Sequence, residues 1–130
     1  MIEQGLYDLL SSDQALSQLV GARIYPVLIP EETTYPAITY QGVTGSVKPS
    51  VDGRAYSEKS IQIDAWGNTY GDIKCVQAAL HRILDGYVGT LSDGTRVLSS
   101  LRINEFDAYE SDARVYRSIT EYQFQFVEQS

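Results

Sequence analysis

Between Ser60 and Asp85 the apolar residues of this chain change period from two to about 3.6, and that switch limits its folds more than any other feature. In "SIQIDAW", Ile61, Ile63 and Ala65 alternate with Gln62, Asp64 and Trp66, the signature of a strand with one buried face. After Gly67-Asn68-Thr69, residues Ile73, Val76, Leu80, Ile83 and Leu84 recur at helical spacing, with Lys74, Gln77, His81 and Asp85 on the far side. A strand that runs straight into an amphipathic helix buries both apolar faces only if sheet and helix form packed layers. Thr69 and Asp72 form a variant capping box with Asp in place of Glu, and Gly86 suits a helix C-terminus. The corner "SIQIDAWGNTYGD" is thus a candidate active site, a piece of core, or an edge made for another subunit. Asp64 and Trp66 should lie on the sheet face away from the helix.

The rest of the chain supplies partners for that unit. Ile2, Leu6, Leu9 and Leu10 predict an N-terminal helix that breaks near Ser12 or Asp13, resumes through Leu16, Leu19 and Val20, and stops at Gly21. Pro26, Pro30 and Pro36 exclude a long helix in the segment that follows, and "AITYQGVTG" reads as a strand. Residues 46–58 combine turn residues and mixed charge without periodicity, which predicts a long flexible loop. "RVLSSLRINEF" and "VYRSITEYQFQFV" predict two further strands, joined by the acidic "DAYESDA"; Tyr116, Ser118, Thr120, Tyr122, Phe124 and Phe126 share one face of the second. The expected fold is α+β, in the order α-β-β-α-β-β: a mostly antiparallel four-stranded sheet with two helices packed on one face. The expected organisation is one domain over residues 1–130, and the other sheet face stays wet unless a partner covers it.

Several function classes are disfavoured by composition. A net charge of −7 with only 10 Lys and Arg leaves too few cations for a broad nucleic-acid grip. No basic and apolar leader opens the sequence, so no signal peptide is expected, and no window approaches the roughly 20 apolar residues of a membrane span. Cys75 is the only cysteine, which rules out an internal disulfide and suits a reducing compartment. Ten tyrosines against three phenylalanines favour surfaces that are wet when free and covered when bound.

The chemistry of an enzyme is sparse. Phosphate-binding glycine loops, dinucleotide fingerprints and nucleophile elbows are missing. His81 is the only histidine, so any Ser-His-Asp or Cys-His arrangement must use it, and Cys75 does not share its helix face. Glu105, Asp107, Glu110 and Asp112 cluster without calcium-loop spacing, which reads as an acidic solvated turn. No catalytic, cofactor-binding or metal-binding residue is assigned, and no cofactor is expected. A general-acid role for Asp64 would need a second titratable partner in a cleft.

The order of motifs resembles that of the tail-completion proteins of long-tailed bacteriophages and prophages, the tail terminator or tail-to-head joining family. "LYDLLSSDQALSQLVGARIYPVLIPEETTYPAITYQ" is similar to their opening, "IQIDAWGNTYGDIKCVQAALHRILDG" to their strand–corner–helix unit, and "DAYESDARVYRSITEYQF" to their closing strand pair. The resemblance implies a non-catalytic subunit at the head-proximal end of the virion tail, made in the host cytoplasm. It implies a ring, typically of six, that caps the tail tube and meets the head connector while DNA passes through. A ring needs two different patches per subunit. By residue type and position, Val47, Lys48, Arg54 and Tyr56 of the loop, with Asp64, Trp66 and Tyr109 near the corner, are the candidate contacts. The competing readings are another neck or connector subunit, a cytosolic binding module, and a small hydrolase built on Asp64 with His81 or a bound metal.

Overall fold

The computed structural model describes residues 1–49 and 55–128. Helices α1 (Ile2–Ser12) and α2 (Gln14–Val20) open the chain, followed by strands β1 (Ile24–Pro26), β2 (Ala37–Pro49) and β3 (Ala55–Gly67). Helix α3 (Tyr70–Leu84) comes next, then β4 (Gly89–Thr90), β5 (Arg96–Glu110) and β6 (Val115–Val127). The strands form one curled sheet in the order β1-β2-β3-β6-β5-β4. Only the β1–β2 pair is parallel, so the sheet is mixed.

This corrects the expected four-stranded sheet with two helices. The two extra strands are three and two residues long, and one contains Pro26, so neither displays a readable alternation. The additional helix arises at Asp13, whose extended backbone (ψ 121°) ends α1 while its carboxylate accepts the Leu16 N–H to start α2. The expected 46–58 loop is also corrected in part: 46–49 and 55–58 are paired strand, from Ser46↔Glu58 to Pro49↔Ala55. These arms extend past the helices, so they show no buried-face alternation, while main-chain pairing needs none. Arg54 lies outside the described residues.

The alternating faces sort as the periodicity demands. Ile61, Ile63 and Ala65 stand opposite Tyr122, Thr120 and Ser118 and face the helices. They join Ile2, Leu6, Leu10, Leu16, Val20, Ile73, Val76, Leu80 and Leu84 in one core. At about 25 cal/mol per Å² of apolar surface, this burial is the main force holding helices to sheet. Gly67 sits where strand meets helix. A Cβ there would stand 3.0 Å from Asp72 Cβ and 3.1 Å from Ile73 Cγ2, so any larger residue would require the start of α3 to give by a few tenths of an ångström. Gln77, expected on the solvent side of α3, is buried and donates to Ser118 Oγ at 2.5 Å. A polar residue survives there because the facing strand position offers an acceptor.

Candidate assembly surface

The corner carries two clusters, one on each side of the sheet. On the face away from the helices, Asp64 is only 3% exposed. Arg117, one diagonal step away on β6, donates to its Oδ2 from Nη2 at 2.7 Å and from Nε at 3.0 Å. Gln62 Nε2 donates to both carboxylate oxygens at 3.1 Å. Arg117 also reaches Glu110 Oε1 at 3.2 Å and lays its guanidinium 4.6 Å above the centre of the Trp66 ring. Trp66 Nε1 donates to Thr39 Oγ1 at 2.9 Å, and Thr39 lies across β2 from Asp64. Burial pushes the Asp64 carboxyl above its ordinary value, more than Arg117 and Gln62 pull it back.

This arrangement does not bring Asp64 and His81 together. His81 lies across the sheet from Asp64, on α3, where its ring is 6.1 Å from that of Tyr122. Arg102 Nη1 is 2.7 Å from His81 Nδ1, and a guanidinium only donates, so Nδ1 is an unprotonated acceptor. Nε2 lies 3.1 Å from Glu105 Oε2. Burial first, and then Arg102, lower the His81 pKa, so the ring is held toward its neutral form beside that carboxylate. Among the described residues, no group of three or more His, Cys, Asp or Glu is placed to hold a metal ion. Among the described residues, no helix is long and apolar enough to cross a membrane.

On the helix side of the corner, tyrosines collect. Tyr116 lies edge-on to Tyr109 (centroids 5.0 Å apart) and to Tyr70 (6.0 Å). Tyr70 donates to Asp107 Oδ2 at 2.8 Å, and Lys74 pairs with the same oxygen at 2.8 Å while lying over the Tyr70 ring. Tyr109 and Tyr70 keep about half their surface exposed, at 53% and 48%, so the cluster is an ordered aromatic patch open to solvent.

The candidate contacts do not form one patch. Asp64, Trp66 and Tyr109 belong to the corner end of the sheet, whereas Val47, Lys48 and Tyr56 lie on the far arms of β2 and β3. Val47 is 69% exposed, Tyr56 is half-buried, and Lys48 is the strand partner of Tyr56. Asp64 and Trp66 are engaged by neighbours in their own chain. Residue-type reasoning missed the exposed apolar run Leu101, Ile103 and Phe106 on β5 (55, 48 and 51%). The signal was present in "LRINEF", where apolar residues break the alternation that a single buried face would impose.

The family model described as "Tail completion protein gp17" matches residues 4–126. No curated protein sequence matches the chain. Among solved structures, the fold is similar to a chain from "Virion of native gene transfer agent (GTA) particle". The TM-score is 0.78 at 18% identity, covering 96% of this chain and 93% of that one.

Proposed function

The chain belongs to the tail completion protein gp17 family, a structural protein of the virion tail, and from that premise we propose that it closes into a ring on the end of the tail tube. The ring stops tube growth and presents its other side to the head connector, and DNA passes through it without sequence-specific contact. Its partners are therefore copies of itself, the tail tube protein and the connector protein. The observation that carries this reading is the family match over nearly the whole chain, residues 4–126. The separation of Asp64 from His81 by the sheet favours it over the hydrolase. So do half-exposed aromatic and aliphatic side chains, which a covered interface would bury.

The test is molar mass by light scattering, for the purified protein alone and after mixing with tail tubes that lack their terminal protein. The expected result is a ring-sized species, formed either in solution or only at tube ends. A chain that stays monomeric and ignores the tubes overturns the proposal. Binding to isolated head connectors but not to tubes replaces it with a neck subunit on the head side.

A further inference from the structure

The chain leaves β1 through a strained turn. Val27 has φ 64°, a conformation that a β-branched residue rarely adopts. Leu28 N–H bonds the Pro26 carbonyl at 2.7 Å and closes a three-residue turn about Val27, while Val27 N–H bonds the Tyr40 carbonyl at 2.9 Å. A three-residue turn with positive φ at its centre is the rare, strained form, and such strain persists only where neighbouring bonds enforce it. The turn holds two adjacent apolar side chains outward on a fixed backbone: Val27 is 58% exposed and Leu28 74%.

On the opposite side of the sheet, the same height ends in a second exposed apolar pair. One row runs Pro26–Tyr40–Ile63–Thr120–Glu105, and Ile103 and Phe106, 48% and 51% exposed, flank Glu105. Neighbours within the chain occupy the β5 edge nearer its start: β4 at Arg96 and Val97, Gly86 N–H at the Ser100 carbonyl, and Asp85 Oδ1 at the Arg102 N–H. The charges are complementary too. Glu31 and Glu32 lie in the loop from Leu28 back to Ala37, whose row across the sheet ends at Ala108. Arg114 lies in the turn just past that end of β5. All three are exposed, and none has an ion-pair partner among the described residues.

We propose that copies laid side by side, with their strands in the same sense, meet by packing Val27 and Leu28 of one against Ile103 and Phe106 of the next, with Glu31 and Glu32 facing Arg114. This rests on the ring reading above and specifies one contact of its seam. Each copy offers the turn to one neighbour and β5 to the other, so the contact is heterologous and closes into a ring when the rotation per subunit allows. It is made by side chains and leaves Asp85 and Gly86 in place on β5. The apolar residues supply the burial, and the charges at the rim set orientation more than strength.

The test uses substitutions read by the mass experiment, in solution and on tubes. Leu28→Asp puts a charge into the covered contact and should lower the ring fraction on the order of tenfold. Val88→Asp, at a position 68% exposed beside β4, should assemble as wild type. Arg114→Glu should weaken assembly, and Glu31→Lys with Glu32→Lys in the same chain should restore it. In a Cys75→Ser background, Leu28→Cys with Phe106→Cys should give a ladder of multimers with a short bis-maleimide, and each single variant only monomer. Where Leu28→Asp shifts the urea midpoint of unfolding, the cross-link decides. Rings that form normally with a folded Leu28→Asp, or that give no Leu28–Phe106 link, overturn this contact and leave the ring standing. Wild-type protein that forms no ring, even on tubes, overturns both.

Discussion

Arg117 meets three needs at once: it is the counter-ion of Asp64, a partner of Glu110 and a lid on the Trp66 ring. Only the first leaves a buried charge behind when the arginine is removed. Truncating one partner of a largely buried pair is expensive because the other charge cannot regain its water. Arg117→Ala is therefore expected to cost on the order of 3 kcal/mol in urea unfolding. Arg117→Lys should recover only part, since an ammonium cannot hold the two-pronged contact. A loss below about 0.5 kcal/mol for the alanine variant would show that water already reaches Asp64, as at an ordinary surface pair. Tyr122 gives the opposite kind of prediction. Its ring is fully buried, its hydroxyl is the one buried side-chain polar atom without a hydrogen-bond partner among the described residues, and burial raises its pKa. Tyr122→Phe removes that orphan group and keeps the ring, so the variant should unfold at equal or higher urea concentration than wild type. A clear drop in the midpoint would mean that the hydroxyl has a partner in solution.

At the scale of elements, α2 depends on what holds its ends. Seven residues are too few for a helix to persist by itself, so packing and capping decide whether it forms. Asp13 accepts the Leu16 N–H at 3.0 Å and Arg82 Nη2 of α3 at 2.7 Å, so one carboxylate both starts α2 and ties it to α3. Arg82 first, and then the Leu16 N–H, hold the Asp13 pKa below its ordinary 3.8. A depressed carboxylate stabilises the fold fully above the unfolded value, and the contribution fades as pH falls through the folded one. Asp13→Ala should thus cost about 1 kcal/mol at pH 7, and the gap to wild type should narrow as pH drops below 3.8. Asp13→Asn keeps a capping oxygen and should lose less. A gap that stays constant down to acid pH would mean that packing of the side chain, not its charge and cap, carries the effect. The same aspartate illustrates what the sequence made legible. The break near Ser12 or Asp13, the Thr69 cap and the two faces of β3 and β6 were readable because each is a local signal, either a capping residue or a period. The edge strands β1 and β4 were not, since strands of two or three residues are too short to show a period and exist only through pairing with a neighbour. The arms of β2 and β3 beyond residue 46 read as loop for a related reason: without a buried face, polar sequence carries no period. Of the corner site, the outward direction of Asp64 and Trp66 was legible. Their capture by Arg117 and Thr39 was not, because the diagonal partner depends on strand register.

At the scale of the whole molecule, charge opposes the proposed assembly. Each subunit carries −7, so bringing copies together accumulates like charge. The exposed side chains Val43, Leu101, Ile103 and Phe106 are apolar and do not add to it, and the acids near them on β5 are already engaged, Glu105 by Arg102 and Asp107 by Lys74. Where copies meet through such surface the attraction is apolar burial, which salt scarcely weakens, while the repulsion is long-ranged and screened. The Debye length falls from about 30 Å at 0.01 M salt to about 3 Å at 1 M. Assembly should consequently strengthen with ionic strength. Light scattering on the same protein at 0.05 M and 0.5 M sodium chloride should show a larger ring fraction, or faster capture at tube ends, in the higher salt. The reverse result would mean that complementary charges dominate the contact between copies. The contact would then have to be sought at the charged corner, where Arg117, Glu110 and Lys74 lie, rather than among the exposed apolar side chains.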